Sequence, residues 1–275
     1  MDYLNYFSDY LKKRDLSLNT ISSYKSDVGQ FLEYIVKPVL SIDKNDVLNF
    51  VGHLEENEIN VSSINRKFIS IKNFLDFLNE EYNAGFTFKL KQIKTQHQQY
   101  LDDLLFKEDF DKLINCARKN KDIRAETIFQ TLYLTGMRVS ELLQLEVGDV
   151  GKKYLSIKGK GGKYRTIFVP PKLVDILSEY KLQRINNSDK LFTGQRGPIN
   201  RQTVHNMIKK YANMANVNID SAHAHNFRHL YCLSLIEKGL SIDVVADLAG
   251  HSNINTTRIY TRKTKEQLMT AINEL

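Results

Sequence analysis

Four amphipathic segments fill the first third of the sequence. Apolar residues recur there at spacings of three and four, which places them on one face of a helix. The four apolar stripes are Tyr3, Phe7, Tyr10 and Leu11; Ile21, Tyr24, Val28, Phe31, Leu32 and Ile35; Val47, Phe50, Val51 and Leu54; and Ile64, Phe68, Ile71, Phe74, Leu75 and Leu78. Helices this short are not stable alone in water, so they must bury their stripes against one another. The pattern predicts a small helical bundle.

Polar residues before the stripes predict where the helices begin. Ser17 or Asn19 is a candidate N-cap for the second helix, Asp43 for the third and Ser62 for the fourth, because their side-chain oxygens can accept from free backbone N–H groups. Pro38 predicts the end of the second helix, since proline cannot continue the hydrogen-bond ladder.

Residues 104–275 mix helical and strand patterns. Two short runs of strand composition, 154–157 and 166–169, flank the segment KGKGGK at 158–163 and predict a β-hairpin. Helical patterns surround it, at 113–117, 128–134, 173–182, 203–214, 227–237, 242–248 and 265–272. The sequence therefore predicts a mainly α chain with a small β-sheet.

A polar, glutamine-rich stretch without periodicity lies between these two regions. It predicts a linker over 91–103 that separates a helical domain, 1–90, from a mixed α/β domain, 104–275. A polar surface loop within a single domain is the alternative.

The positive charge of the chain lies in its second region. The net charge is +7; residues 1–95 hold 12 Lys and Arg against 13 Asp and Glu, and residues 96–275 hold 27 against 19. Such an excess favours an anionic partner, most often nucleic acid. Cys116 and Cys232 have neither disulfide-framework nor metal-ligand spacing and are predicted to be reduced thiols. We find no signal leader and no long apolar run, and expect a cytoplasmic protein that does not enter a membrane.

Four motifs in the second region place basic residues in a fixed order before a tyrosine. They are TGMRVSELLQL at 135–145, KGKGGKYR at 158–165, HNFRH at 225–229 and GHSNINTTRIY at 250–260. Opening a phosphodiester needs a nucleophile, stabilisation of the non-bridging oxygens, an acid for the leaving oxygen and a base. The motifs supply a candidate for each, and their joint occurrence carries more weight than any single residue.

Arg138 follows Gly136 at a predicted turn and begins a predicted helix over 139–145. Backbone N–H groups gather at a helix start, so an anion there is favoured by both the arginine and the backbone. Glu141 shares the helix face of Arg138, three residues on. Taken alone, the pair also fits a solvated surface ion pair.

Lys160 lies at the predicted tip of the hairpin, where flanking glycines allow a close approach to DNA. Lys158, Lys163 and Arg165 are rival candidates from the same hairpin and candidate DNA contacts. A generic basic hairpin is the alternative.

His225 and Arg228 are spaced so that both can face one anion from a single helical turn. An imidazole can move a proton near neutral pH, and a guanidinium can bind two oxygens at once. His223 and His229 crowd the same segment, but no ligand set at zinc spacing accompanies them, so no metal is expected.

His251 can donate to a phosphate oxygen, although a lone histidine after a glycine is more often a cap or a surface residue. Tyr260 is the candidate nucleophile. A phenol with a pKa near 10 reacts poorly unless cations and a base help to deprotonate it, and the basic motifs can supply both.

The ordered motifs resemble those of the tyrosine recombinase (phage integrase) family, and their spacing is most similar to its compact Xer-type and transposon-resolvase-type members. The resemblance extends over nearly the whole chain. It implies that residues 1–90 form the SAM-like core-binding domain that grips DNA, and that 104–275 form the catalytic domain. It also implies the site: Arg138 and Arg228 bind the scissile phosphate, Lys160 protonates the leaving 5′ oxygen, His225 is the general base and acid, His251 hydrogen-bonds the phosphate, Glu141 orients the site, and Tyr260 attacks.

The mechanism implied by the resemblance is covalent. A 3′-phosphotyrosyl intermediate conserves the phosphoester bond, so neither ATP, a metal nor another cofactor is required. Strand exchange between paired sites in double-stranded DNA passes through a Holliday junction, with a dimer on each site and a tetramer in synapsis. A C-terminal helix striped by Leu268 and Ile272 is implied to dock on a neighbouring protomer; packing on its own domain is the alternative.

Two departures from the family pattern lie at the entry to the His225 helix. Ala224 stands where proline is frequent, and Asn226-Phe227 where Asp-Leu is common; neither removes a reacting group. Two other functions stay open: a DNA-binding protein of the same fold without strand exchange, and a relaxing enzyme of the type IB topoisomerase kind. The complete reactive set, the compact bundle and the short tail favour a recombinase.

Overall fold

Helices dominate both regions of the protein. The structure, a computed structural model, describes residues 2–89, 91–93, 104–159 and 164–251, together with Thr257 and Asn273. The helices are α1 Tyr3–Lys13, α2 Leu18–Ile35, α3 Lys44–Glu56, α4 Val61–Tyr82, α5 Lys107–Lys119, α6 Ile123–Thr135, α7 Val139–Leu142, α8 Pro171–Leu182, α9 Arg201–Met214, α10 Ala224–Glu237 and α11 Ile242–Ala249. The strands are β1 Tyr154–Lys158, β2 Tyr164–Phe168, β3 Thr193–Gly194 and β4 Gly197–Pro198.

The chain divides into two compact units, Met1–His97 and Gln98–Leu275. Most of the predicted linker, 91–103, lies outside the described residues, and its role stays a prediction. Ile93 belongs to the first unit, because its backbone N–H and C=O both pair with the side-chain amide of Asn65, each at 2.9 Å. No helix in the described ranges combines the length and the apolar character needed to cross a membrane.

The first unit is the predicted bundle of α1 to α4. The predicted stripes provide most of its core, where Phe7 packs edge-on against Phe74 with ring centroids 5.2 Å apart. Ser17 caps α2 and Asp43 caps α3, as predicted. The cap prediction for α4 is wrong: Asn60, and not Ser62, accepts the free backbone N–H, so the helix begins earlier.

The second unit surrounds α6 with helices and adds two small antiparallel sheets. Helix α6 packs against α5, α8 and α10, and it is buried on most of its sides. Gly136 ends this helix in the left-handed conformation, with φ of +58°. Arg138 then begins α7, which is shorter than the predicted 139–145 and ends at Leu142. The turn after α7 still buries Leu145, which explains why the apolar spacing continues beyond the helix.

Strands β1 and β2 form the predicted hairpin, with Tyr154 opposite Phe168 and Lys158 opposite Tyr164. Leu155, Ile157 and Ile167 face the core, as the alternation of side chains requires. The short β3–β4 pair carries no alternating pattern and was not predicted. The predicted helix over 265–272 lies outside the described residues. The mainly helical fold class with small antiparallel sheets is confirmed.

Candidate active site

Arg138 and Glu141 form the first half of the site, at the start of α7. The Glu141 carboxylate accepts from the backbone N–H of Arg138 at 2.7 Å and from its Nη1 at 3.0 Å. The Arg138 side chain is 36% exposed, so part of its guanidinium faces solvent, whereas that of Glu141 is 1% exposed. The pair is therefore not a solvated surface ion pair, because its acidic member lies in the protein interior.

Arg165 on β2 is the second cation on Glu141. Its Nε and Nη2 donate to the two carboxylate oxygens at 3.1 and 2.8 Å. Burial alone would raise the pKa of the Glu141 carboxyl, but the bonds from Arg165 and from the Arg138 backbone outweigh burial and hold that pKa below its usual value. Glu141 is thus an anion shared by two guanidinium groups.

Arg228 is the most deeply buried of the described cations of the candidate site, at 1% exposure. Its Nη1 donates to the Gly136 carbonyl at 2.8 Å, and its Nε donates to Nε2 of His251 at 3.3 Å. Its Nη2 is buried and has no hydrogen-bond partner in the part of the chain that the structure describes. Burial, and then the positive charges of Arg138 and Arg165, lower the pKa of Arg228 to about 10. The charges of Arg138 and Arg165 therefore both act on Arg228.

Gly136 fixes Arg228 through its backbone. Besides its positive φ, a Cβ at this position would lie 2.3 Å from the ring of Tyr231. Arg228 and Tyr231 both belong to α10, so this helix presses against the end of α6 where the carbonyl of Gly136 holds the guanidinium.

His251 follows the C-terminal glycine of α11. Its Nδ1 lies 2.8 Å from the Thr257 hydroxyl, while its Nε2 accepts from Arg228. Burial, and then the charge of Arg228, lower the pKa of His251 to about 4, so the ring is neutral at pH 7. In this arrangement Nε2 is an acceptor, and the proton lies on Nδ1.

His225 is exposed on the first turn of α10, and its ring lies edge-on to that of His229 at 4.4 Å between centroids. Partial burial of the ring, followed by the charge of Arg228, lowers the pKa of His225. Burial lowers the pKa of His229 to about 3. Both imidazoles are therefore neutral at pH 7, and His225 is the one that solvent and a ligand can reach.

Asn226, one of the two departures from the family pattern, closes the entry to α10. It is 4% exposed, and its side-chain amide donates to the Ser221 carbonyl at 2.7 Å. The helix begins at Ala224, where the frequent proline is absent.

The hairpin residues do not share one environment. Lys158 ends β1 with its side chain exposed, and its carbonyl accepts from Gln144 at 3.0 Å. Arg165, predicted as a DNA contact or a rival of Lys160, is only 14% exposed and pairs with Glu141. Arg165 lies two residues before inward-facing Ile167 and so on the same face of the strand. That spacing is the sequence signal for its inward position.

Lys160, Lys163 and Tyr260 lie outside the described residues, so their roles stay predictions. The structure brings together Arg138, Glu141, Arg228 and His251, with His225 on the same helix as Arg228. Gly136, Tyr231 and Leu248, whose carbonyl accepts from Nη1 of Arg165 at 3.2 Å, also contact this group of residues, and the sequence did not indicate them as part of the candidate site. Within the described ranges, no three His, Cys, Asp or Glu side chains are grouped to hold a metal ion.

Comparisons with known proteins place the chain in a family over nearly its whole length. The phage integrase family model matches residues 104–267, and the model of the phage integrase N-terminal SAM-like domain matches residues 4–82. A tyrosine recombinase of Thermosipho africanus is 31% identical over 98% of this chain and 98% of its own length. Tyrosine recombinase XerA of Pyrococcus furiosus is 32% identical over 98% of this chain and 93% of its own.

Among solved structures, XerH site-specific recombinase bound to palindromic difH substrate has a TM-score of 0.77 with 24% identity, covering 96% of this chain and 84% of that one. That likeness shows a shared fold. The family match over most of the second unit and the full-length relatives show more: the chain belongs to the phage integrase family and is a tyrosine recombinase.

Proposed function

We propose that this tyrosine recombinase cuts and rejoins double-stranded DNA at specific paired sites through a 3′-phosphotyrosyl intermediate. The observation that carries the proposal is the state of Arg228. Its guanidinium is buried and, among the described residues, hydrogen-bonds only to neutral acceptors and keeps one nitrogen without a partner. Burying an unpaired charge costs several kcal/mol, and an anionic ligand would offset that cost.

The missing partner is an anion that also reaches Arg138. Arg138 keeps about a third of its side chain exposed, and its charge acts on Arg228. Two guanidinium groups facing one phosphate can each bind a non-bridging oxygen and stabilise the charge that develops there during displacement. Arg138 and Arg228 therefore bind the scissile phosphate in our proposal.

The remaining roles follow from the proton balance. The Tyr260 oxygen attacks phosphorus, its proton passes to neutral His225, and the bond to the 5′ oxygen breaks as Lys160 gives that oxygen a proton. The lowered pKa of His225 keeps its ring neutral and able to accept. The reverse steps join a different 5′ hydroxyl to the same phosphorus and release the tyrosine. The phosphoester bond count is unchanged, so the reaction needs no ATP.

Before DNA binds, His251 has a different role from the donation to phosphate that the resemblance implies. With Nε2 accepting from Arg228, the ring orients the guanidinium. Donation to a phosphate oxygen would require the proton to move to Nε2, and we include that change as a step that follows DNA binding.

The proposed assembly is a dimer on each site and a tetramer when two sites pair. XerH was solved on a palindromic substrate, and a palindrome presents the same half-site twice, in the symmetry of a two-fold dimer. A Holliday junction then forms when one strand of each duplex has been exchanged.

The test of the covalent step uses a nicked suicide substrate, from which the cleaved end diffuses away. We expect a DNA adduct that survives SDS in the unchanged protein and none in Tyr260→Phe. Tyr164→Phe is the matched control, since Tyr164 is 70% exposed on β2 and should leave adduct formation intact. An adduct that persists in Tyr260→Phe would overturn the assignment. Tight DNA binding without any adduct would favour a binding protein, and relaxation of plasmids that lack a specific site would favour a topoisomerase.

The role of Lys160 has its own test. Lys160→Ala should bind DNA nearly normally but lose cleavage, and a 5′-bridging phosphorothiolate should restore it, because a thiolate leaves without an acid. Lys152→Ala, at an exposed ion pair with Asp149, is the control. Failure of the thiolate substrate to rescue the variant contradicts the proposed proton transfer.

A further inference from the structure

Arg165 joins three parts of the second unit. Its Nε and Nη2 bind the Glu141 carboxylate side by side, and its Nη1 donates to the Leu248 carbonyl at 3.2 Å. Paired bonds between a guanidinium and a carboxylate fix both distance and orientation. One side chain on β2 thus holds the start of α7 and the end of α11 together.

The end of α11 also packs on the stem of Arg165. A Cβ at Gly250 would lie 2.5 Å from the Cδ of Arg165, so the backbone is in close contact with that side chain. His251 is the next residue, and its ring accepts from Arg228. The position of the Arg165 stem therefore constrains the turn that places His251.

Two routes lead from Arg165 to the proposed phosphate ligands. Through Glu141 it reaches the backbone N–H and Nη1 of Arg138. Through Leu248 and Gly250 it reaches the turn whose imidazole orients Arg228. Its own side chain is only 14% exposed, and each of its three nitrogens already donates to Glu141 or Leu248.

The base of the hairpin is fixed to α7 from both strands. On β1 the carbonyl of Lys158 accepts from Gln144, which also donates to Ser140 in α7. On β2 the bonds of Arg165 to Glu141 do the same. Arg165 is the member of this pair that also extends to α11.

We propose that Arg165 is a positioning residue for strand cleavage: it sets the Arg138–Glu141 pair and the His251–Arg228 pair in one arrangement and does not contact DNA. This role replaces the DNA contact expected from the sequence, and it rests on the proposed function. Loss of the arrangement lowers the rate of the chemical step while the affinity for DNA stays the same.

The test compares Arg165→Lys with the unchanged protein in single-turnover adduct formation on the suicide substrate. Lysine keeps the charge but loses the paired bonds, and we expect a rate at least about tenfold lower, the effect of roughly one charge-assisted hydrogen bond. The dissociation constant for the same DNA should change by less than about twofold. Arg118→Lys is the matched control, because Arg118 pairs with Glu126 at the surface of the same unit.

A 5′-bridging phosphorothiolate separates positioning of the phosphate ligands from leaving-group protonation. The Arg165→Lys rate should stay low on this substrate, in contrast to the rescue expected for Lys160→Ala. Rescue of Arg165→Lys, a rate equal to that of the unchanged protein, or a loss of affinity as large as the loss of rate would each overturn the proposal.

Gly250→Ala gives a second measurement that does not depend on the folding of Arg165→Lys. The added methyl meets the stem of Arg165 and should slow cleavage. In an Arg165→Ala background that stem is absent, so the same change should cost less. If the fold-loss in cleavage rate from Gly250→Ala is the same in both backgrounds, the two positions act independently and the proposal is overturned. If the unchanged protein forms no adduct in the same assay, the proposed function fails, and this inference with it.

Discussion

The Nη1 of Arg228 donates to the carbonyl oxygen of Gly136 at 2.8 Å, so a buried guanidinium is held by a residue that has no side chain. The carbonyl points to Arg228 because Gly136 ends α6 in the left-handed conformation. The contact links α6 and α10 across 92 positions of sequence. It makes the backbone geometry of one glycine a determinant of the proposed phosphate site.

Gly136→Ala should lower both stability and cleavage rate. The new methyl would overlap the ring of Tyr231, and left-handed backbone is unfavourable for alanine. Overpacking of this kind destabilises a protein by about 1–3 kcal/mol. Urea unfolding followed by circular dichroism measures the first effect and adduct formation the second. Gly148→Ala is the control, because nothing lies within 4 Å of its Cβ position. Equal stability of the two variants would contradict the predicted overlap.

Asp27→Asn should weaken the first unit. Asp27 is 1% exposed and accepts from Ser70 at 2.8 Å, from Lys67 at 3.3 Å and from Arg66. Lys67 is itself 7% exposed, so removing the carboxylate leaves a buried ammonium without its counter-ion. Breaking a buried pair from one side typically costs about 3–5 kcal/mol.

Hydrogen exchange of the full chain, followed by mass spectrometry, measures this loss as faster exchange in α2 and α4. Asp9→Asn is the matched control, since Asp9 pairs with Lys12 at the surface, where ion pairs contribute little. Unchanged protection of both helices in Asp27→Asn would contradict a stabilising role for the network.

The lowered pKa of His225 predicts how the cleavage rate falls at acidic pH. Partial burial and the charge of Arg228 hold its pKa below the ordinary 6.5, so the neutral, proton-accepting form persists at lower pH. The value of kcat/KM reports the free enzyme, and it should decline with a midpoint below 6.5 as pH falls. His225→Gln should abolish this limb together with most of the activity. A midpoint at or above 6.5 would contradict the assignment of His225 as the base.

The local elements could be predicted because their signals are local. Ser17 and Asp43 cap helices through residues two or three positions away, and the alternation of Leu155 and Ile157 places β1 on the core. Ser62 failed as a cap because Asn60 offers the same chemistry two residues earlier, and apolar spacing cannot decide between them.

The motifs named the charged residues of the site but not their mutual dependence. Arg165 and Glu141 are 24 positions apart, and their pairing depends on how the hairpin packs on α7. The alternation of β2 indicated that Arg165 faces inward. The other basic residues of the hairpin favoured a DNA contact instead. Gly136 and Leu248 act through carbonyl oxygens, which every residue has. The sequence placed Gly136 at a turn, but no pattern showed that its carbonyl, or that of Leu248, holds an arginine.

His251 makes the stability of the protein depend on pH. Its pKa is about 4 in the folded protein, because of burial and Arg228, against an ordinary value of 6.5. A histidine whose pKa is lowered by folding contributes stability above 6.5, and that contribution is lost as pH falls toward 4. The free energy of unfolding should therefore fall through this window, at up to about 1.4 kcal/mol per pH unit from this one group.

His251→Gln should reduce the slope of unfolding free energy against pH, while substitution of the exposed His205, His205→Gln, should leave the slope unchanged. Urea unfolding at several pH values measures the slope, and identical slopes in His251→Gln and the unchanged protein would show that the imidazole is not buried against Arg228. The remaining slope in His251→Gln should come from His229, whose pKa is about 3, and from His225, whose pKa is also lowered.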